Sequence, residues 1–189
     1  DQEGGRVCRL KEEDGFPPTL PAKLQGDGGE PERTRGYAER MAASLAACGI
    51  NMNMAPVVDL DLNPANPIIG RFQRSFGSEA GLVANHAAAF IDAYHQHGIA
   101  CCLKHFPGHG SAAGDSHLGF VDNTGQWRPE ELGPYQKLIA DGFADSVMTA
   151  HVVNRQLDTS GLPATLSAPV ISGLLRDRLG FPGVIISDD

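Results

Sequence analysis

Short runs of apolar residues stand out along the chain, at residues 52–58, 99–103, 146–150 and 183–186. Each run is nearly continuous and does not alternate with polar residues. This pattern is typical of strands that are buried on both faces of a parallel sheet. We therefore expect a strand of parallel sheet at each of these positions.

The stretches between these runs carry the pattern of amphipathic helices. Apolar residues recur there about every three or four positions, which places them on one face of a helix. The stripes are Tyr37, Met41, Leu45 and Cys48; Val83, Ala87, Phe90, Ile91 and Tyr94; Leu132, Tyr135, Leu138 and Ile139; and Ile171, Leu174, Leu175 and Leu179. Ser78 is the expected N-cap of the second helix, and Gly98 its expected C-terminal stop. The alternation of strands and helices predicts right-handed βαβ units and an α/β fold.

Polar residues follow the predicted strands. They are Asp59 and Asp61, Lys104 and His105, His151, and Ser187 to Asp189, and residues 1–3 fit the same place on a strand whose beginning is missing. In a (β/α)₈ barrel such strand ends converge on one face, where the catalytic loops lie. No glycine-rich phosphate loop follows a strand, which argues against a nucleotide-binding doubly wound sheet. We therefore predict a TIM-type (β/α)₈ barrel, with residues 63–78 and 108–127 as long loops on the catalytic face.

Composition and charge narrow the classes of function. The chain has 189 residues and is 41% hydrophobic, enough for one domain with a real core. It carries 15 Lys and Arg against 23 Asp and Glu, a net charge of -8, so nucleic acid is not an expected partner. The apolar runs fall short of the roughly 20 residues that a membrane span needs. The cysteines Cys8, Cys48, Cys101 and Cys102 lack disulfide or CxxC spacing and are predicted to be small core residues.

The two ends of the chain suggest a piece of a longer protein. The chain begins at Asp1 without a methionine and stops at Asp189, directly after an apolar run. Folded domains rarely begin or end inside a strand. We therefore expect residues 1–189 to be an incomplete barrel domain.

The segment from Lys104 to His117 is the densest in candidate chemistry. Pro107 and the glycines around it exclude a regular helix and predict a loop able to move over a pocket. Asp115 lies two positions before His117, so its carboxylate can orient the imidazole and raise its basicity, as acid/base catalysis requires.

A metal site is the alternative interpretation of the same segment. Its ligands would be His105, His109, Asp115 and His117. Zinc-binding histidine pairs commonly share one face of a helix, and Pro107 breaks that geometry here. The residues by themselves leave acid/base chemistry, metal binding and an ordinary surface loop as alternatives.

Charged residues elsewhere suit a hydroxyl-rich ligand. Residues 1–9 combine carboxylates, glycines and the arginines Arg6 and Arg9, while Arg71 and Arg74 lie in a later loop. Carboxylates and guanidinium groups bind hydroxyls, and glycines let the backbone approach closely. Ion pairs on the surface are the alternative interpretation. The remaining histidines, His86, His95 and His97, fall on a predicted helix and are expected to be surface or packing residues.

A series of motifs gives the chain a resemblance to a known family. In order they are DQEGGRVCRL, APVVDLDLNP, IIGRFQRSFG, LKHFPGHG, GDSHLGF, MTAHVV, PATLS and GFPGVIISDD. With them the chain resembles the N-terminal catalytic barrel of glycoside hydrolase family 3, and KHFPGHG followed by D-S-H is specific to its β-N-acetylglucosaminidase branch. The resemblance covers essentially the whole chain and implies a barrel present from the tip of its second strand through its sixth.

The resemblance implies roles for particular residues in a retaining exo-glycosidase. Asp188 corresponds to the nucleophile, and His117, assisted by Asp115, corresponds to the acid/base. Asp189 receives no role. The residues that match the family's sugar contacts are Asp1, Arg9, Arg74 (preferred to Arg71), Lys104 and His105. A carboxylate nucleophile and a proton donor are the two groups that a covalent glycosyl-enzyme mechanism needs.

The implied substrate is a terminal, non-reducing β-linked N-acetylglucosamine, as in peptidoglycan-derived muropeptides or chitooligosaccharides. The resemblance implies no metal and no organic cofactor. A phosphorylase of the same family, a metal-dependent hydrolase and a non-catalytic sugar-binding fragment remain alternatives. A location in the bacterial cytoplasm is favoured, and a periplasmic or lipoprotein form stays open because any signal would precede Asp1.

Overall fold

A parallel sheet lies at the centre of the protein, seen in a computed structural model that describes residues 1–114, 119 and 121–188. In these residues β3 (Met52–Asn53), β4 (Ala100–Phe106), β6 (Ser146–Thr149) and β8 (Val184–Ser187) are neighbours in that order, and each neighbouring pair is parallel. The prediction of a parallel sheet is therefore confirmed. The strands are β1 (Gln2–Gly4), β2 (Val7–Cys8), β3 (Met52–Asn53), β4 (Ala100–Phe106), β5 (Val121–Asp122), β6 (Ser146–Thr149), β7 (Val152–Val153) and β8 (Val184–Ser187).

Helices lie at the four predicted stripes, and a further short helix that no stripe predicted precedes them. They are α1 (Ala22–Asp27), α2 (Pro31–Ala47), α3 (Ala80–Gln96), α4 (Gly133–Ala140) and the π-helical α5 (Pro169–Arg178), with 3₁₀ turns at Glu12–Asp14, Gly70–Phe72, Pro129–Leu132 and Ala164–Leu166. Gly98 follows α3 with a φ of 69°, the left-handed conformation expected of a C-terminal glycine. At the other end the N-cap residue is Glu79, one position after the predicted Ser78.

Helix α3 packs its apolar stripe onto the sheet. Val83, Ala87, Phe90 and Tyr94 are all buried, and the rings of Phe90 and Tyr94 stack with centroids 4.5 Å apart. Burying each large apolar side chain stabilises the fold by about 1.5–3 kcal/mol. This packing holds the helix layer against β4.

Two predictions about the core need correction. The run at residues 52–58 forms strand only at β3, with a further bridge from Val57 to Lys104, because Pro56 has no N–H to donate to the sheet. Cys48 is exposed and not a core residue, since α2 ends at Ala47 and Cys48 lies in the turn that follows. The other cysteines, Cys8, Cys101 and Cys102, are buried as predicted, and all four thiols are free.

The sheet fits the predicted barrel in its strand direction, although the described residues do not form a closed barrel. Among them β3 and β8 are the two ends of the parallel sheet. Strand β1 adjoins β3 through Asn53, whose side chain accepts the Gln2 N–H at 2.9 Å and donates to the Gln2 carbonyl at 3.0 Å. The parallel sheet is established, and barrel closure stays a prediction. None of the helices in this part of the chain has the length and apolar character to cross a membrane.

Candidate active site

A cavity of about 610 Å³ opens at the carboxyl ends of the parallel strands. Lys104 and His105 reach it from the end of β4, and Asp188 reaches it directly after β8. Parallel strands end at the same edge of a sheet, so residues that are distant in sequence meet there. The predicted site residues that line this cavity are Asp1, Arg9, Arg74, Lys104, His105 and Asp188.

Glu3 holds two cations in the cavity wall. One carboxylate oxygen lies 2.7 Å from Lys104 Nζ, and both accept hydrogen bonds of 2.8 Å from the Arg74 guanidinium. Lys104 also lies 2.8 Å from a carboxylate oxygen of Asp1. Burial would raise the pKa of Glu3, but Lys104 and Arg74 outweigh it and lower that pKa to about 2. Glu3 is therefore ionised at neutral pH and fixes Lys104 and Arg74 for a ligand.

Asp59 orients His105. The fully buried carboxylate lies 2.7 Å from His105 Nδ1 and accepts the backbone N–H of His109 at 2.8 Å. Burial raises the pKa of Asp59, but His105 and the His109 N–H outweigh it and lower that pKa. With Nδ1 bound to Asp59, the other ring nitrogen of His105 faces Arg74 at 3.4 Å.

Asp188 interacts with Arg74 through their opposite charges. Its backbone N–H donates to the Thr149 carbonyl at 3.1 Å, which fixes the chain where it leaves β8. Burial lowers the pKa of Arg74, while the carboxylates of Glu3, Asp59 and Asp188 raise it. Arg74 therefore stays protonated, close enough to Asp188 for their charges to interact.

The remaining predicted residues divide into three groups. Arg74 lines the cavity and Arg71 is exposed outside it, and the role of Arg74 as a sugar contact stays a prediction. Arg9 lies at the rim, with 74% of its side chain exposed, and pairs with Asp1 at 3.1 Å. The catalytic dyad predicted at Asp115 and His117 lies outside the described residues, and so does Asp189.

The described part of the glycine-rich loop before the dyad is buried, and movement of this loop over a pocket stays a prediction. Residues 106–112 are all buried. Trp127 Nε1 donates to the Pro107 carbonyl at 3.0 Å, and Asn66 Nδ2 donates to the His109 carbonyl at 2.7 Å. A Cβ at Gly110 would collide with the Leu60 carbonyl oxygen. The glycines therefore serve close packing of the backbone.

The sequence alone indicates no role for Glu3 or Asp59. Both were visible as acids at strand ends, and that position was the available signal. Their partners Arg74 and His105 are far along the chain, so only the fold brings each carboxylate to its cation.

One group in the described part of the chain could hold a metal ion, at the opposite ends of the strands. Ligand atoms of His95, Cys101 and Asp145 lie within 4.8 Å of one another. However, one Asp145 oxygen already accepts the Cys101 N–H and a His95 ring nitrogen, both at 2.7 Å. Burial raises the pKa of the Cys101 thiol, which disfavours the thiolate that a metal needs. The hydrogen bonds account for this group without a metal.

The alternative metal site in the glycine-rich loop is described only in part. His105 uses Nδ1 to bind Asp59, and its ring centroid lies 6.3 Å from that of His109. The other two proposed ligands, Asp115 and His117, lie outside the described residues.

An α/β domain with a cavity of paired acids and cations at its strand ends suits a polar, hydroxyl-rich ligand. Comparison with known proteins agrees with this class: the N-terminal domain of glycosyl hydrolase family 3 matches residues 1–189, and the chain belongs to this family.

Individual relatives come from several bacteria. A beta-hexosaminidase of Pasteurella multocida (strain Pm70) is 41% identical over 202 residues, which cover 100% of this chain and 54% of that protein. A family 3 beta-N-acetylglucosaminidase from Paenibacillus sp. str. FPU-7 superposes with a TM-score of 0.90 at 42% identity, over 100% of this chain and 35% of that one. NagZ from Neisseria gonorrhoeae, in complex with N-trifluoroacetyl-D-glucosamine, superposes with a TM-score of 0.89 at 35% identity, over 100% of this chain and 56% of that one. The chain spans about half the length of the curated relatives it matches.

Proposed function

We propose that this chain forms the catalytic part of a retaining exo-β-N-acetylhexosaminidase that removes terminal, non-reducing β-linked N-acetylglucosamine. The observation that carries the proposal is the cavity at the strand ends, where Asp188 lies beside Arg74 and Lys104. Membership of the family supports it, as do relatives named beta-hexosaminidase. The glucosamine derivative bound by the Neisseria NagZ supports the choice of sugar.

The first chemical step is attack by Asp188 on the anomeric carbon. A bond forms between a carboxylate oxygen and that carbon while the glycosidic bond breaks. The leaving oxygen takes a proton from the imidazolium of His117, which Asp115 orients. The product of this step is a covalent ester between the sugar and the enzyme.

The second step returns the enzyme to its starting state. The neutral imidazole of His117 takes a proton from water, and the water oxygen attacks the anomeric carbon. The ester bond breaks and Asp188 leaves as a carboxylate. A histidine suits both steps, because its pKa lies near neutrality and it can donate and then accept a proton.

The charged wall of the cavity binds and orients the sugar in this proposal. Lys104 and Arg74 donate hydrogen bonds to hydroxyl groups, Asp1 accepts them, and Arg9 contributes at the rim. Their positions are set before substrate arrives, because Glu3 holds both inner cations. Donors fixed in advance do not have to reorganise during the reaction.

Hydrolysis of a chromogenic N-acetyl-β-glucosaminide by the full-length protein tests the proposal. We expect turnover that persists in EDTA and releases the free sugar in phosphate buffer. Loss of activity in EDTA would instead support the metal-dependent hydrolase, and formation of the sugar 1-phosphate would support the phosphorylase. Asp188→Asn should abolish turnover, whereas Asp177→Asn, an exposed acid of α5, should leave it unchanged. Binding without turnover would support the sugar-binding alternative.

A further inference from the structure

Glu131 is a buried carboxylate to which the mechanism above gives no role. It belongs to the 3₁₀ turn Pro129–Leu132, and its side chain is inaccessible to solvent. One oxygen accepts the Ser111 hydroxyl at 2.5 Å and the Arg128 N–H at 3.2 Å. The other accepts the backbone N–H groups of Gly110 at 3.1 Å and Ser111 at 3.4 Å. Three of these four donors belong to the glycine-rich loop.

The loop backbone fits closely against this side chain. Gly108 has a φ of 120°, and a Cβ added there would lie 2.6 Å from the Cβ of Glu131. No residue other than glycine therefore fits at position 108 without displacing Glu131. The carboxylate and the glycine together fix the distance between the loop backbone and the 3₁₀ turn.

The loop leads directly into the segment that carries the dyad. Ser111 shortly precedes Asp115 and His117 in the sequence. Beyond the dyad, Val121 begins β5, which pairs with β7. Gly114 is close to Val121, since a Cβ there would lie 3.0 Å from a methyl carbon of that valine. The two described ends of the segment are thus neighbours, and Glu131 holds the chain leading to the first of them.

We propose that Glu131 is a positioning residue for the acid/base step. By binding the amides of Gly110 and Ser111 and the Ser111 hydroxyl, it fixes the backbone from which the dyad extends. This inference rests on the proposed function, since it needs His117 to donate the proton. It predicts that loss of Glu131 weakens proton donation while sugar binding by Arg74 and Lys104 is retained.

Glutamine at position 131 is the sharpest test of this role. Its side chain has nearly the same shape, but one acceptor oxygen becomes an N–H₂ donor that faces other donors. The loop bonds to that oxygen are therefore lost. Ser111→Ala removes a single contact from the other side, and it serves as the second variant should Glu131→Gln fail to fold. Glu130→Gln is the matched control, because Glu130 is the exposed neighbour in the same turn.

The experiment compares kcat and KM of the full-length variants on aryl N-acetylglucosaminides with good and poor leaving groups. For Glu131→Gln we expect kcat to fall at least about tenfold with poor leaving groups and little with good ones, because only poor leaving groups need the proton. KM should change less than about threefold, and Ser111→Ala should show a weaker form of the same pattern. Equal losses for all leaving groups, or no loss in a folded Glu131→Gln protein, would overturn the proposal.

Hydrogen exchange of the peptide covering residues 107–114 measures the contact without turnover. We expect exchange at this peptide to be at least about tenfold faster in Glu131→Gln than in Glu130→Gln or the wild type. Unchanged exchange would overturn the role of Glu131 whatever reaction the protein catalyses. Inactivity of the wild type, by contrast, would count against the proposed function and leave this exchange result to decide on Glu131.

Discussion

Replacing Glu3 with glutamine should destabilise the protein because it leaves two buried cations short of their carboxylate. Glu3 is almost fully buried and binds both Lys104 and Arg74. Removing one partner of a buried ion pair costs about 3–5 kcal/mol. The lowering of the Glu3 pKa from 4.5 to about 2 corresponds to about 3 kcal/mol, at the lower end of this range.

The loss should depend on pH in a defined direction. The pKa of Glu3 is lower in the folded than in the unfolded chain, so ionised Glu3 contributes its full stabilisation above about pH 4.5. That contribution is lost as the pH falls towards 2, because the folded protein must then take up a proton. The difference between wild type and Glu3→Gln should therefore be large at pH 7 and shrink steadily below pH 4.5.

Urea unfolding at a series of pH values measures this difference as a free energy. Glu12→Gln is the control, because Glu12 is an exposed acid near Glu3 in the sequence, and it should change the free energy of unfolding by less than about 0.5 kcal/mol. A Glu3→Gln protein within about 1 kcal/mol of the wild type at pH 7 would contradict a buried ion pair at Glu3, since that is the range of exposed ion pairs. A loss of the same size at pH 7 and pH 3 would refute it as well.

Three further predictions concern the dyad, Glu131 and strand β8 at one end of the sheet. His117→Ala should slow the full-length enzyme by about 10²–10⁴-fold on substrates with poor leaving groups and far less on activated aryl glycosides, and Asp115→Asn should have a milder effect. If the ratio of the wild-type rate to the His117→Ala rate is the same for all leaving groups, another residue donates the proton. Burial, partly offset by hydrogen bonds, raises the pKa of Glu131 to about 7. Between pH 4.5 and 7 the folded protein therefore keeps a proton on Glu131 that the unfolded chain has lost. The free energy of unfolding should fall by up to about 3 kcal/mol over this range as the pH rises. Urea titrations of Glu131→Gln should lack this fall, and a fall as large as in the wild type would contradict the assignment. In the described residues β8 pairs only with β6, and Val184 is 60% exposed. Residues 1–189 expressed alone should therefore self-associate, and Val184→Lys should reduce the self-association measured by sedimentation. A monomer at all concentrations would contradict this expectation.

The strands and helices could be predicted from the sequence because their periodicity reflects burial directly. The seven residues of β4 are an apolar run that ends in Lys104, His105 and Phe106, and the sheet buries all but its first residue. The stripe of α3 from Val83 to Tyr94 is buried as its spacing indicates. The prediction that Cys48 is a core residue was wrong because the same spacing continues past the end of α2, and periodicity alone does not show where a helix stops.

The cavity residues could be predicted in part, and their partners could not. Strand ends mark Lys104, His105 and Asp188 as candidates, since parallel strands bring their ends together. The pairing of Asp59 with His105 depends on the register between β4 and the segment after β3, which no local pattern encodes. The glycines of the loop indicate unusual backbone, but mobility and close packing produce the same pattern in a sequence. Only the contacts of the folded loop, such as those of Gly108 with Glu131 and of Gly110 with Leu60, show the close packing.

Trapping the glycosyl-enzyme identifies the nucleophile by direct measurement. A fluorinated N-acetylglucosaminide that forms the ester quickly and hydrolyses slowly is incubated with the full-length protein, which is then digested and analysed by mass spectrometry. We expect a mass increase on the peptide that contains Val184 to Asp188, with fragmentation placing the sugar on the Asp188 side chain and no label in Asp188→Asn. Label on any other carboxylate, or turnover of the substrate by Asp188→Asn at the wild-type rate, would contradict it.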